Sequence, residues 1–289
     1  MSRGRALMMP RPFLKWVGGK GQLLETLDAR VGEHARKGRY HEPFVGGGAL
    51  FFHLHRNGRL GQKRAYLSDA NLELVNAYQM VQLQVEPLIE LLLAHQAAHS
   101  GAYYYAMRAA IPADPIEQAA RTVYLNKTCF NGLYRVNSRG IFNVPMGRYK
   151  APKVCDPENL RAVSKALKSA VIEHRAYADV LKRVKPGDFV YFDPPYAPVS
   201  ATSNFTGYDR NMFRAEDQVA LRDVFGSLGR HQVRALLSNS SAPEILELYR
   251  KFTLETLQAN RNVNSRADRR GQVTEVLVRN YRDDGSLLD

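Results

Sequence analysis

The strand-like run DFVYFD ends on Asp193, and PPYAP follows it. A carboxylate in that place can accept a hydrogen bond from an amino group. Pro194 has no N–H but keeps a carbonyl acceptor whose direction its ring fixes, and Tyr196 offers a flat face for stacking. Together Asp193, Pro194 and Tyr196 describe a pocket for a planar group bearing an NH2, such as the exocyclic amine of a base turned out of its stack. Taken as four residues alone, the stretch reads equally well as an X-Pro-Pro turn with a capping aspartate.

A second group of residues could bind a cofactor. HEPFVGGGALFF sets Gly46, Gly47 and Gly48 between a strand and a helix, where bare backbone amides can approach a ligand at the positive helix end. The contiguous glycines miss the GxGxxG spacing of dinucleotide sites. Asp69 ends the next strand, YLSD, about where an acid can take both hydroxyls of a ribose. The pair points to a nucleoside-type cofactor without a pyrophosphate; the alternative is a plain turn and an N-cap acid. FLKWVGGKGQLL adds the sole tryptophan, Trp16, and Lys20, without the spacing or the GK[ST] ending of a nucleotide-triphosphate loop. Trp16 is otherwise a packed core aromatic.

Charge names the class of partner. Lys and Arg number 41 against 28 Asp and Glu, a formal net charge of +13, so a polyanion comes first. From Arg121 to Lys153 the chain has basic residues and no acid, interleaved with Tyr124, Phe130, Tyr134, Phe142 and Tyr149, a mixture that suits phosphates and bases. Arg3, Arg5, Arg11, Lys15 and Lys20 make the first twenty residues basic too, as a backbone-contacting arm or a solvated end. The cysteines are Cys129 and Cys155 alone, so neither a disulfide scaffold nor a metal site is expected, and a reducing cytoplasm fits. No apolar stretch reaches about 18 residues and no signal-like segment opens the chain, so a soluble, non-exported protein is expected.

The elements that must position these residues follow a βαβα rhythm. RYHEPF, RAYLSD, VIEH, DFVYFD, VRALLSN, TLETLQA and TEVLVRNY read as strands. Helical GALFFHLHRNG, a long amphipathic stretch from Asn71 to His95, PENLRAVSKALKS, AYADVLKRV, a helix from Ala215 and PEILELYRK lie between them. That alternation predicts an α/β fold with a mainly parallel sheet covered by helices. Between the halves, LYRV and IFNV flank the turn-forming NSRG, which predicts a β-hairpin.

FLKWVGGK, EPFVGGGALFF, YLSDAN, NKTCFNGLYRVNSRGIFNVPMGRY and YFDPPYAPVSATSNFTGY occur in the order seen in the alpha group of DNA adenine-N6 methyltransferases. From about Pro12 to Tyr281 the chain resembles the Dam/DpnII-type branch, the D12 class, whose members methylate adenine in GATC. DPPY alone occurs in other amino-methylating enzymes; five motifs in order are far more specific. The resemblance implies a Rossmann-like S-adenosylmethionine-dependent methyltransferase fold. Its discontinuous catalytic domain would span 11–75 and 154–285, with an inserted helical and hairpin recognition domain at 76–153, the hairpin near 131–147.

By the same resemblance, Trp16 and Lys20 contact S-adenosyl-L-methionine, the loop of Phe44, Gly46 and Gly48 lines its methionine part, Asp69 its ribose, and Asp193 faces both cofactor and target amine. Arg135 stands where relatives place an arginine that reads guanine, and its fork matches O6 and N7. Leu133 and Pro145 suit a thymine methyl, Phe130 fills the stack when adenine leaves, and Asn131 joins this DNA-facing set. Asn137, Asn143 and Arg148 hold phosphates. Two departures stand out: Gly47 replaces an Ala or Ser, and NRNVNSRADRRGQVTE lacks RSIS-like wording, so Arg261 and Ser265 receive no role.

The function expected is therefore methyl transfer to adenine N6 in double-stranded DNA by base flipping, at GATC. The enzyme would be monomeric, metal-free and cytoplasmic, bacterial or phage-encoded and associated with the nucleoid. Neither cysteine follows a proline, so transfer is direct, without a covalent enzyme intermediate. Competing readings are a cytosine-N4, RNA or protein amino-methylating relative and a DNA-binding module that has lost catalysis. A solitary role, as in mismatch repair, and a restriction-modification role are equally compatible with the sequence.

Overall fold

The computed structural model describes residues 8–197, 213–260 and 272–288. Arg3 and Arg5, the 198–212 part of the last motif and the stretch holding Arg261 and Ser265 lie outside the described residues. The described parts of Met1–Gly19, Gly46–Gly58 and Asn71–His174 form one compact unit, and those of Lys20–Val45, Arg59–Ala70 and Arg175–Asp289 form the other.

The first unit is mainly helical. It contains α3 (Ala49–Arg56), α4 (Leu72–Leu83), α5 (Val85–Ala97), α6 (Gly101–Ala109), α7 (Pro115–Thr128) and α8 (Pro157–Leu167), with strand β3 (Ala170–His174). The second unit carries α1 (Leu24–Val31), α2 (His34–Lys37), α9 (Ala215–Arg230) and α10 (Pro243–Leu248). Its strands are β1 (Tyr40–Glu42), β2 (Ala65–Asp69), β4 (Phe189–Phe192), β5 (Arg234–Ser240), β6 (Thr253–Asn260) and β7 (Gln272–Arg279).

In the second unit the strands lie in the order β2-β1-β4-β5-β7-β6. The first four are parallel, with His41 opposite Tyr66 and Val190, and Leu237 opposite Phe192. β7 runs antiparallel to β5, and β6 antiparallel to β7. The expected mainly parallel α/β sheet forms, mixed through the antiparallel β7 and β6. FVYF in β4 is buried at every position, as a strand covered on both faces must be. Leu221, Phe225 and Leu228 of α9, spaced as one helical face, pack with Val190, Phe192, Ala235, Leu237, Val276 and Val278. Each such side chain stabilises the unit by about 1.5–3 kcal/mol, and Phe225→Ala would cost about 3–5.

One buried carboxylate clamps the starts of β1 and β4. Asp188 Oδ2 accepts from Arg39 Nη2 at 2.6 Å and lies 3.0 Å from His41 Nε2, and its Oδ1 accepts the Arg39 amide at 3.0 Å. Tyr66 is stacked on His41 and lies under the guanidinium groups of Arg39 and Arg183.

In the first unit, side-chain caps set the helix starts. Asn71 accepts from Leu74 N at 3.1 Å to open α4, and Asp114 accepts from Ile116 N at 2.8 Å with Pro115 as the first helical residue of α7. The expected single helix from Asn71 to His95 is two, parted at Gln84, which has φ −138° and ψ 49°. Pro87 explains the break: it lacks an N–H and its ring would clash with the Leu83 carbonyl of a continuous helix. In the second unit, the AYADVLKRV helix shrinks to a 3-10 segment, Tyr177–Lys182.

The hairpin forms through isolated antiparallel bridges, Val136 with Phe142 and Cys129 with Met146, not through extended strands. Asn137 N donates to the Ile141 carbonyl at 2.9 Å and Asn143 N to the Arg135 carbonyl at 3.0 Å. The ladder stops there for a chemical reason: Pro145 has no donor, and its carbonyl instead accepts the Phe130 amide at 2.9 Å.

Candidate active site

β4 delivers Asp193 to the carboxyl ends of the parallel strands, the edge where open α/β sheets bind ligands. Lys20 Nζ lies 2.8 Å from Asp193 Oδ1, and the Ser238 hydroxyl donates to that same oxygen at 2.8 Å. Lys20 is 5% exposed, so its charge is neutralised within the protein rather than by water. Behind Ser238, the Tyr191 hydroxyl lies 3.0 Å from Ser238 Oγ. Burial and then the charge of Asp193 raise the Tyr191 phenol well above its usual range. Tyr40, equally buried, donates to Glu42 at 2.8 Å and is raised in the same way.

Tyr196 closes the arrangement. Its hydroxyl donates to Glu275 Oε2 at 2.6 Å and its ring stands over the Lys20 ammonium at 4.4 Å. Lys20 is 4.0 Å from Glu275. Burial, then the charges of Asp193 and Glu275, push the Tyr196 phenol well above its ordinary range, so it remains a donor. Pro194 is buried, and the following turn is held by Gln218 Nε2, which donates to the Pro195 carbonyl at 3.1 Å, and by Asn239, whose Oδ1 accepts the Ala197 amide at 3.3 Å. The second unit also holds Phe44, stacked on Tyr177 with edge contacts to Phe192 and Phe213, and Asp69, half-buried at the end of β2.

Trp16 and the glycines belong to the first unit. A Cβ on Gly46, whose φ is +47°, would stand 2.9 Å from Trp16 Cδ1, and one on Gly48, at φ +66°, 2.7 Å from the Tyr78 hydroxyl. Glycine is required at both by backbone conformation and close approach together. Gly47 differs: a Cβ there meets Trp16 Cβ at 3.2 Å and φ is ordinary, so an alanine needs only a small shift. Trp16 is half-buried and stacked on Tyr134, with ring centroids 5.7 Å apart.

The same unit displays the expected DNA-facing residues. Phe130, Asn131, Arg135, Asn137, Pro145 and Arg148 are exposed, and Leu133 and Asn143 are half-buried. Phe130 sits on a 3-10 turn, Phe130–Gly132, in which Asn131 has φ 53° and Gly132 φ 65°. Buried Asn126 holds that turn, donating to the Gly132 carbonyl at 3.2 Å and the Lys15 carbonyl at 3.0 Å. Arg135 Nε donates to Asn143 Oδ1 at 2.7 Å, and Asn137 Oδ1 accepts the amides of Arg139 and Ile141. Both amide side chains therefore have work within the hairpin.

Sequence reasoning missed Ser238, Glu275, Tyr191, Glu42 and Asn126. The one signal for Ser238 was the polar SNS that ends an apolar strand; Ser238 and Asn239 are fully buried there, which costs free energy unless both are hydrogen-bonded, as they are.

A mixed, mainly parallel α/β sheet with acids and an ammonium at its carboxyl ends defines a Rossmann-like core built to handle a cationic or amine-bearing ligand. The family model for the D12 class of N6 adenine-specific DNA methyltransferases matches residues 16–263. The type II methyltransferase M1.LlaDCHI of Lactococcus lactis subsp. cremoris is 43% identical over 279 residues, covering 94% of this chain and 95% of its own. M.MjaIII of Methanocaldococcus jannaschii is 38% identical, covering 95% and 100%, and the DNA adenine methylase of Escherichia coli K12 is 35% identical, covering 93% and 94%. The chain belongs to the D12 class of N6 adenine-specific DNA methyltransferases. It is an enzyme that methylates adenine N6 in DNA, site-specifically, with S-adenosyl-L-methionine as donor. Among the described residues no helix is long and apolar enough to cross a membrane.

The residues present fit that cofactor. In the second unit Asp193 and Glu42 outnumber the buried Lys20 ammonium around the Tyr40 and Tyr191 hydroxyls, a balance that favours a cationic sulfonium. Asp69 offers acceptors for a ribose.

Proposed function

We propose that the target is GATC in double-stranded DNA, that adenine is turned out of the helix, and that Asp193, Pro194 and Tyr196 carry the transfer. One observation supports this most: among the described residues both partners of Asp193, Lys20 and Ser238, fall on Oδ1. Oδ2 is then the acceptor for one N–H of the adenine amine, and the Pro194 carbonyl takes the other. Adenine's amine is a poor nucleophile because its lone pair is delocalised into the ring. Two acceptors placed out of the ring plane draw the nitrogen toward tetrahedral geometry and free that pair. S-adenosyl-L-methionine supplies the electrophilic methyl. The protein's share is positioning and fixed dipoles, with Tyr196, held by Glu275, stacking on the base.

In this reading Trp16, Lys20, Phe44, Gly46, Gly48 and Asp69 bind the cofactor, and Lys20 also anchors Asp193. Residues 76–153 form the recognition domain and 11–75 with 154–285 the catalytic one. Arg135 reads guanine, Leu133 and Pro145 face a thymine methyl, and Phe130, 40% exposed, fills the vacated stack beside Asn131. Arg148 holds phosphate, whereas Asn137 and Asn143 shape the hairpin and reach phosphate only with their remaining donors. The enzyme works as a cytoplasmic monomer without a metal.

The decisive experiment incubates GATC duplexes and their single-base variants with methyl-labelled cofactor and analyses the nucleosides. N6-methyladenine confined to GATC is expected. Labelling spread evenly over the variants overturns the GATC assignment, and N4-methylcytosine overturns the amine assignment.

A further inference from the structure

We infer that Glu275 is a positioning residue for methyl transfer, closing a ring with Tyr196 and Lys20, the ammonium that pairs with Asp193: Lys20 lies under Tyr196, Tyr196 donates to Glu275, and Glu275 returns to within 4.0 Å of Lys20. The inference rests on Asp193 and Tyr196 carrying the transfer. Glu275 lies beyond the residues matched by the family model, 16–263.

β7 brings Glu275 in from the antiparallel side of the sheet. Glu275 pairs in register with Ser240 of β5, and Ser238, two residues earlier on the same strand face, is the hydroxyl that donates to Asp193. A row of polar groups thus crosses three neighbouring strands, from Asp193 just past β4 through Ser238 on β5 to Glu275 on β7. The Glu275 side chain is 16% exposed, so its charge is poorly screened by water and acts on what it touches.

What it touches are the Tyr196 hydroxyl at 2.6 Å and the Lys20 ammonium at 4.0 Å. A phenol donating to a carboxylate is a strong, directional bond, and it fixes the rotation and tilt of the Tyr196 ring. The second carboxylate also holds the ammonium between two anions. Without it, Lys20 is drawn wholly to Asp193, the ring it supports loses its lower contact, and Asp193 becomes a weaker acceptor for the amine. Glu275 acts through Tyr196 and Lys20 and forms no bond in the reaction.

Single-turnover methylation of a GATC duplex at saturating cofactor tests this with Glu275→Gln, Glu275→Asp, Tyr196→Phe and the Gln/Phe double substitution. Glutamine keeps the size and one acceptor but removes the charge. We expect Glu275→Gln to slow the chemical step about 10- to 100-fold. Cofactor affinity by calorimetry and duplex affinity should stay within about threefold of wild type. Glu275→Asp should recover part of the rate. Because Tyr196→Phe already removes the bond through which Glu275 fixes the ring, Glu275→Gln should cost clearly less in that background than in the wild type, leaving only the part that passes through Lys20. A duplex with 2-aminopurine at the target position should brighten equally with wild type and Glu275→Gln, since extrusion of the base precedes the step affected. A wild-type rate in Glu275→Gln, strictly additive losses, or a matching loss of cofactor affinity and melting temperature overturns the inference. Absence of brightening or of N6-methyladenine with the wild type overturns the reading it rests on instead.

Discussion

Lys20 and Ser238 meet on a single oxygen, Oδ1 of Asp193, each at 2.8 Å. One donor comes from the segment before α1 and the other from the middle of β5. Among the described residues, the hydrogen-bonding partners of this strand-end aspartate thus fall on one oxygen.

Removing either donor should have a graded effect. Ser238→Ala deletes one neutral hydrogen bond to a charged acceptor, worth about 1.5–3 kcal/mol, so single-turnover methylation should fall about 10- to 100-fold with the fold intact. Lys20→Met leaves a partly buried carboxylate without its counter-ion and should cost more than Ser238→Ala, with weaker cofactor binding as well. Equal rates in the two variants would show that charge is irrelevant to the role of Asp193.

Stability should depend on pH through the clamp at the other end of the sheet. Hydrogen bonds from His41 and Arg39 hold the Asp188 carboxyl well below its usual range despite burial, and burial lowers His41. Both groups have folded values below their unfolded ones. Their contribution is therefore complete at neutral pH and above, and is lost as pH falls, from about 6.5 for His41 and further below about 4 for Asp188. Thermal melts should decline below about pH 6. Asp188→Ala should lose about 3 kcal/mol at pH 7 in urea titrations, because it leaves the half-buried Arg39 without its counter-ion and the buried His41 without its partner.

Specificity should pass through Asn143 as well as Arg135, since Arg135 Nε donates to Asn143 Oδ1 at 2.7 Å. Arg135→Ala should lose about 1–3 kcal/mol of discrimination at one base pair of GATC. Asn143→Ala frees only the arginine's Nε, since Nη2 still donates to the carbonyl of residue 143 at 3.3 Å, and should relax the same base pair by less. A uniform loss on GATC and all its variants, with a shallower salt dependence, would instead assign Arg135 to phosphate.

DNA affinity should respond to alkaline pH through Lys127. Burial, followed by the nearby Lys15 charge, pushes its ammonium down to about 8. Lys127 then carries a charge at pH 7 and loses it by pH 9, and duplex binding measured by anisotropy should weaken over that interval. Lys127→Met should abolish the pH dependence and reduce the salt slope by about 1. A wild-type affinity that is level from pH 7 to 9 would show that the Lys127 charge does not act on DNA.

Much of this molecule was legible in its sequence because the information was local. FVYF followed by an acid and two prolines must be a buried strand ending at a ligand edge, and the contiguous glycines after HEPFV must form a turn, since Gly46 and Gly48 take positive φ that other residues resist. The ordered motifs carried the family and its chemistry. Hydrophobic periodicity carried the α/β class, but it erred at Gln84, where the consequence of Pro87 falls one turn upstream of the proline itself. The tertiary structure decided which side chains complete the motif. Nothing in TEVLVRNY marks Glu275 as different from any other strand acid. Only the register that sets it opposite Ser240 brings it to the Tyr196 hydroxyl. Likewise Lys20 reads as a residue after a glycine turn, and its pairing with Asp193 depends on burial that no spacing encodes. Motifs record the groups that chemistry requires in sequence, whereas the counter-ions and the hydroxyls that tune them arrive from distant strands, wherever the sheet order places a partner within reach.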